Sequence, residues 1–417
     1  MRGMKQKILV IVGLIWLFGC AERDRLNPID PKNRITGGRP QRLQIYSDLN
    51  TIVLLWDRLE LQGIQGYQIY RSSAIDSNFR PIALVSADSS RFIDRGVVYG
   101  QHYRYFLTVM ADDFETPSSD TVGIVPGPTN LWATDVYNRR LIKISHDGSH
   151  EIQQIGVDGH PWTIAYDAEQ RMIWYSDVLQ NRIYRIHQEV IEIVLDLAYG
   201  DPIDLAMDLQ NNRIWIADQN QGRVYLLNRQ GQKIGEKSDF KKPVSLDFVS
   251  NEGSCWVVDA KAKTLNKLSA NLTSVGQISN FISPSSVAVN QVSGECWVAD
   301  SSRVVRIDLK GRIRLSIERP GSYLRYLSVD SELDLCWVID FHFSADHSRL
   351  LCFNNKGDQL VEFGGLSWPT NLKVNPYDHC CVIADAGSGR LIKVSPQGVA
   401  IGEVNGYYYP RGLFIEF

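Results

Sequence analysis

The stretch "NRIWIADQNQGRVYLLNRQG", residues 212–231, decides the fold, because the chain writes it again. Eighty-two residues further on stands "ECWVADSSRVVRIDLKG", residues 295–311. Aligning the phrase on its tryptophan gives Trp132, Trp174, Trp215, Trp256, Trp297 and Trp337, at steps of 42, 41, 41, 41 and 40. A seventh copy, "CVIAD", puts Val382 in that column after a step of 45. An aspartate follows three residues later each time: Asp135, Asp177, Asp218, Asp259, Asp300, Asp340 and Asp385. A second column, Pro161, Pro202, Pro243, Pro284 and Pro369, precedes the Trp column by thirteen residues, with Leu324 holding that place before Trp337. Two locked columns with a period near 41 mark a repeat architecture.

Each period reads as four short strands, "PIDLAMD", "IWIAD", "RVYLLN" and a weaker "QKIGEK", separated by Gly, Asn, Asp and Ser. Apolar residues alternate or run in fours to sixes without helical spacing. Four antiparallel strands in about 41 residues make one β-propeller blade. The first repeat begins at Leu131 on its second strand, and "YPRGLFIEF" at 409–417 is a Pro strand with nothing after it. Each supplies what the other lacks. The expected architecture is all-β, with a seven-bladed propeller at 128–417 closed by that last strand, which removes two sheet edges.

These repeats resemble the NHL family and, more distantly, the YWTD propellers. Rings of those families usually carry six blades, so the resemblance implies the fold and transfers no active site. Residues 39–127 differ. "TIVLLWD" alternates Ile52, Leu54 and Trp56, and "HYRYFLTVMADD" alternates Tyr103, Tyr105, Leu107 and Val109. This stretch resembles a fibronectin type III domain, with Tyr103 placed as the corner tyrosine of that sandwich. Its expected role is a spacer or brace.

The first twenty residues, "MRGMKQKILVIVGLIWLFGC", pair a basic start with an apolar run from Ile8 to Phe18, too short to span a bilayer. This has the form of an export signal. Leu17-Phe18-Gly19-Cys20 resembles the bacterial lipoprotein box, which implies lipid on Cys20 and membrane attachment through it. Ala21 after the cysteine implies outer-membrane retention in a Gram-negative cell. Residues 21–38, "AERDRLNPIDPKNRITGG", read as an extended polar tether. Lys and Arg number 44 against 47 Asp and Glu, a net charge of −3, so no polybasic face for nucleic acid is implied.

Seven cysteines in an exported chain invite disulfides, but Cys255, Cys296, Cys336 and Cys381 all occupy the position before the Trp column, where other repeats have Leu131, Ile173 and Ile214. Equivalent positions in adjacent blades lie about 10 Å apart, beyond the roughly 7 Å a disulfide spans. Cys352 should face Trp337 across a strand pair. The column accepts a small hydrophobe, and free Cys is one.

The aspartate column has a structural reading: each Asp closes a hairpin turn, with Arg140, Arg182, Arg223 or Arg390 five residues on to pair with it or with a neighbouring blade. Asp167, Asp208 and Asp330, ending the Pro strands, read the same way. The two residues after each Pro position should ring the channel mouth, among them Trp162, Asp204, Arg325, Tyr326, Asn371 and Arg411. They include one acid, no histidine and two arginines, so no divalent metal site or other cofactor is expected. GxSxG, phosphate-loop, CxxC and HExxH motifs are absent from the sequence. The loops "GHPW", "SYLRY", "LSWPTN" and "GYYYPRG" add His160, Tyr323, Trp368 and Tyr407 to Tyr409 near that mouth. Rings and arginines in a concave face suit a glycan, peptide or anion ligand. The expectation is a lipid-anchored envelope protein with a non-catalytic recognition or scaffolding ring for a protein or glycan. The competing class is a carbohydrate-active lyase or lactonase at the same mouth.

Overall fold

The computed structural model describes residues 26–61, 63–111 and 114–416. The export signal and Cys20 lie outside them. No helix among the described residues is long and apolar enough to cross a membrane.

Two sheets build the first region. Gln44–Asp48, Thr51–Leu55 and Arg91–Asp94 form one; Arg80–Ser86, Ile64–Ser73, Tyr103–Ala111 and Val122–Ile124 form the other. They enclose one core of Ile52, Leu54, Trp56, Tyr67, Ile69, Tyr105, Leu107 and Val109, as period-two alternation requires. The Tyr103 hydroxyl accepts a hydrogen bond from the Val98 N–H at 3.0 Å, five residues upstream. The tether departs from expectation. Residues 27–37 fold into turns in which Asn33 Oδ1 accepts from the Ile35 and Thr36 N–H groups at 2.9 Å. Ile29 is buried in the core of the first region. One apolar side chain with a surface to cover outweighs the solvation of an otherwise polar segment.

Residues 130–416 form a β-propeller of four-stranded antiparallel sheets, seven among the described residues. Six run in simple order from a Pro-column or Leu324 strand outwards. The seventh takes its inner strand, Pro410–Glu416, from the far end of the chain, pairing Phe414 with Trp132 and Leu413 with Ala133. Each inner strand packs against the next in sequence, and Pro410–Glu416 contacts both Pro161–Asp167 and Pro369–Val374, so the cycle closes.

The Trp column is core: Trp174, Trp215, Trp297 and Trp337 are 0% exposed and Trp256 1%. A cation lies over several of these rings from the residue paired across the strand. Lys143 covers Trp132, Arg185 covers Trp174, Lys267 covers Trp256 and Arg306 covers Trp297, at 5.4–5.8 Å. The six described cysteines are buried free thiols, and Cys352 faces Trp337. The aspartates are turn anchors. Asp177, for example, accepts from the N–H groups of His160, Leu179 and Gln180 at 2.7–2.8 Å, tying a hairpin turn to the loop that enters its sheet. Arg140 and Arg390 pair with Asp135 and Asp385 as expected. Arg182 and Arg223 do not. They turn outward to Asp196 and Glu236 on the outer strands of their own sheets. In the second acidic set, Asp167 binds Arg229 of the next sheet and Asp330 binds His379.

The first region docks on the sheet of Trp132. Asn130 Nδ2 donates to Asp48 Oδ1 at 2.8 Å, the Gly127 N–H donates to Ser47 Oγ at 3.2 Å, and Tyr46 stacks on His150 at 4.2 Å.

Candidate ligand site at the channel mouth

Every inner strand carries an irregularity just after its first or second residue, where one or two residues lack a partner opposite. Such bulges re-aim side chains. In six strands the irregularity follows Pro; in the Leu324 strand it leaves Tyr326 extra. Tyr326 therefore sits at φ 47°, in the left-handed region that favours glycine. Trp368 and Tyr409, each just before a Pro strand, are held there too, at φ 57° and 74°. Three large aromatic residues thus occupy backbone that costs about 1 kcal/mol or more for each non-glycine residue.

These residues converge in two groups. Tyr409 stacks on Trp162 with centroids 6.3 Å apart, and Tyr137 packs on Tyr409 at 5.3 Å and on His160 at 6.0 Å. Opposite, Trp368 meets Phe341 edge-on at 5.1 Å, and Phe343 lies 6.0 Å from Tyr323. Arg411 joins the two. Its guanidinium carbon is 3.8 Å from the centre of the Trp162 ring and 5.9 Å from that of Tyr326. Arg325 lies 4.9 Å over Tyr326 from the other group. Gly412 makes this approach possible: a Cβ there would stand 3.0 Å from the Trp162 carbonyl oxygen and Thr163 Cα.

The electrostatics follow from that packing. Burial pushes the Tyr326 phenol up. The charges of Arg411 and Arg325, with a hydrogen bond to Arg411, outweigh burial and hold the phenol below its ordinary value. Neither arginine has an ion-pair partner among the described residues. Arg325 Nε and Trp162 Nε1 are buried with no hydrogen-bond acceptor.

Of the residues expected at the mouth, Trp162, Arg325, Tyr326, Tyr409 and Arg411 form one network, with His160 and Trp368 at its two ends. Three others do not join it. Asp204 turns its carboxylate to backbone: Oδ2 accepts from the Leu246 N–H of the next sheet and Oδ1 from Leu205, both at 2.9 Å. Asn371 Oδ1 likewise accepts from the N–H of Leu372. Tyr407 is buried between sheets, its hydroxyl donating to Glu151 at 3.1 Å. Successive residues of "YYY" point different ways, so only Tyr408 and Tyr409 reach the mouth.

Phe341 and Phe343 were missed. Their signal was present: the turn after Asp340 is lengthened, so Arg349 follows nine residues later rather than five. Deeper on the axis lies Asp247, also missed, whose Oδ2 accepts from the Val289 N–H at 2.7 Å. Burial raises its carboxyl to about 6 against the attraction of Lys373, with Asp204 adding to the rise. Among the described residues no three His, Cys, Asp or Glu side chains gather as a metal would require.

No family model matches the chain. No curated protein matches it either. Solved structures do. A functionally unknown protein from Desulfotomaculum acetoxidans DSM 771 superposes with a TM-score of 0.55 at 12% identity, over 69% of this chain and 98% of that one. Hydrazine synthase from Kuenenia stuttgartiensis gives 0.50 at 12% identity, over 56% and 76%. A chain of a nidogen/laminin complex gives 0.47 at 11%, over 69% and 98%. At such identities the likeness concerns the fold alone.

Proposed function

We propose that this is a lipid-anchored protein of the cell envelope, of the outer membrane if the cell is Gram-negative, whose seven-bladed, NHL-like ring recognises or scaffolds a protein or glycan. Cys20 carries the lipid and the fibronectin type III-like region spaces the ring from the membrane. The ring binds rather than catalyses. One observation carries the reading: rings and two guanidiniums from four sheets converge on one mouth, a composition typical of recognition surfaces. The strained backbone under Tyr326, Trp368 and Tyr409 supports it, since aromatic side chains persist where glycine would sit more easily.

The test is capture from envelope extract by the soluble protein and by its Trp162→Ala/Trp368→Ala/Arg411→Ala variant. The variant should capture nothing while its circular dichroism stays that of the parent. Capture that survives would move the site to the outer sheet edges or the first region. Cys20→Ala should release the protein from the membrane fraction or leave it unprocessed; unchanged fractionation and mobility would refute the anchor.

One observation favours chemistry at the same mouth, as a carbohydrate lyase or lactonase: Arg411 and Arg325 hold the Tyr326 phenol below its ordinary value, the direction a proton-abstracting base needs. Turnover of a captured glycan, lost in Tyr326→Phe, would establish that activity.

A further inference from the structure

We infer that the mouth is a carboxylate site and that its ligand is an acidic sugar, a uronate whose carboxylate lies between Arg325 and Arg411. This rests on the ring being a recognition module.

The first reason is charge without a counter-ion. Elsewhere in the ring Arg140, Arg229, Arg303 and Arg390 each hold a carboxylate at 3.0 Å or less. Arg325 and Arg411 hold none among the described residues. The acid whose charge reaches Arg411 is Asp201, and its side chain is already engaged by Gln219. Two guanidiniums brought together without an anion repel each other, and a bound anion relieves that repulsion.

The second reason is orientation. The Arg411 guanidinium lies 3.8 Å over the Trp162 ring and that of Arg325 4.9 Å over Tyr326, with Tyr323 and Phe341 at 5.6 and 5.5 Å from the same guanidinium. A stacked guanidinium keeps its N–H edge for an in-plane, bidentate acceptor, which a planar carboxylate supplies. The buried, acceptor-less Arg325 Nε and Trp162 Nε1 are donors left over by the fold.

The third reason tells a sugar from an inserted peptide. A peptide gains affinity by pairing its backbone with exposed strand edges. Along this axis the amides of Leu246, Val287, Val289, Leu327 and Val374 already donate to side chains of the preceding sheet. Recognition is left to side chains. Around the mouth Trp368, Phe343 and Tyr408 are 43%, 71% and 65% exposed, a wall suited to the C–H face of a sugar ring.

The experiment is titration calorimetry of the soluble protein with glucuronate and galacturonate oligomers. Their neutral glucose and galactose counterparts, inorganic phosphate, and a peptide offering only its C-terminal carboxylate serve as comparators. Uronate oligomers should bind at least about tenfold more tightly than the neutral ones. Arg411→Gln and Arg325→Gln should each lower that affinity roughly 10–100-fold, the range for one charge-assisted hydrogen-bonding partner. Both variants should melt within a few degrees of the parent; if either fails to fold, Arg411→Lys, which keeps charge without the fork, should still weaken uronate binding. Equal binding of neutral oligomers, phosphate or the peptide would overturn the inference. So would uronate affinity indifferent to both arginines. Mouth-dependent capture of an envelope ligand without uronate binding would sink this inference alone, whereas no capture and no binding would sink the recognition reading with it.

Discussion

The ring has two unlike arcs. Across the sheets of Trp215, Trp256 and Trp297, the inner strands are sealed to one another by short polar side chains. Asp204, Ser245, Asp247 and Ser286 each accept an amide of the next sheet. Across the sheets of Trp337, Val382, Trp132 and Trp174, the corresponding region carries Arg325, Tyr326, Trp368, Tyr409, Arg411 and Trp162. The backbone plan is the same in both. The first arc spends its side chains on satisfying backbone, which a repeat must do everywhere. The second places two arginines without ion-pair partners among the described residues and holds Tyr326, Trp368 and Tyr409 on strained backbone. Departure from the repeat, rather than the repeat itself, locates the site.

The comparison can be broken at its boundary. Removing residues 410–417 takes the inner strand from the Trp132 sheet and with it Arg411, leaving an open edge. Stability should fall by roughly 5 kcal/mol or more, as when several large core side chains are lost together, and the protein should aggregate. A cysteine pair at Leu413 and Ala133, which face each other, should cross-link. A truncated protein that stays monomeric and equally heat-stable, with no cross-link in the pair, would mean the arcs do not meet.

Within the sealed arc, Trp256→Ala should cost about 3–5 kcal/mol in urea denaturation, since a fully buried indole leaves a cavity. An unchanged midpoint would place the column outside the core. A smaller effect should come from Asp247. Its folded pKa, about 6, lies above its unfolded value, so the folded state binds the extra proton. Its contribution is most favourable below about pH 4 and is lost as pH rises through 6. The groups facing it are Lys373 and Asp204. Asp247→Asn should therefore flatten the decline in stability between pH 4 and 7 by on the order of 1 kcal/mol; an unaltered slope would show that the carboxyl titrates normally.

The smallest effect sharpens the contrast. Trp368→Gly removes an exposed ring from left-handed backbone, so stability should stay level or rise by up to about 1 kcal/mol while ligand capture weakens. A clear loss of stability would make that ring packing rather than display.

What the sequence disclosed follows the same division. The Trp, Asp and Pro columns are imposed by packing and turns repeated every 41 residues or so, and repetition makes them readable. Closure was readable too, because the first repeat lacks one strand and the last residues supply one. The site was readable only as a list of residue types. That Arg411 lies on Trp162 depends on a bulge and on Gly412. That Asp204 caps an amide depends on the spacing between sheets. Ile29 was hidden because one apolar residue in a polar segment has no period to betray it.

The latch between the ends also sets an order of events. The Trp132 indole donates to Glu416 at 3.0 Å across 284 residues, and Lys143 pairs with the same carboxylate at 2.9 Å. During synthesis at roughly 5–20 residues per second, the Trp132 sheet waits some tens of seconds for its inner strand. Until then the cycle of sheets stays open, although the six sheets built of consecutive strands need nothing from it. A ring that locks only when Pro410–Glu416 arrives cannot close before that strand has been made, so closure is the late step of its assembly.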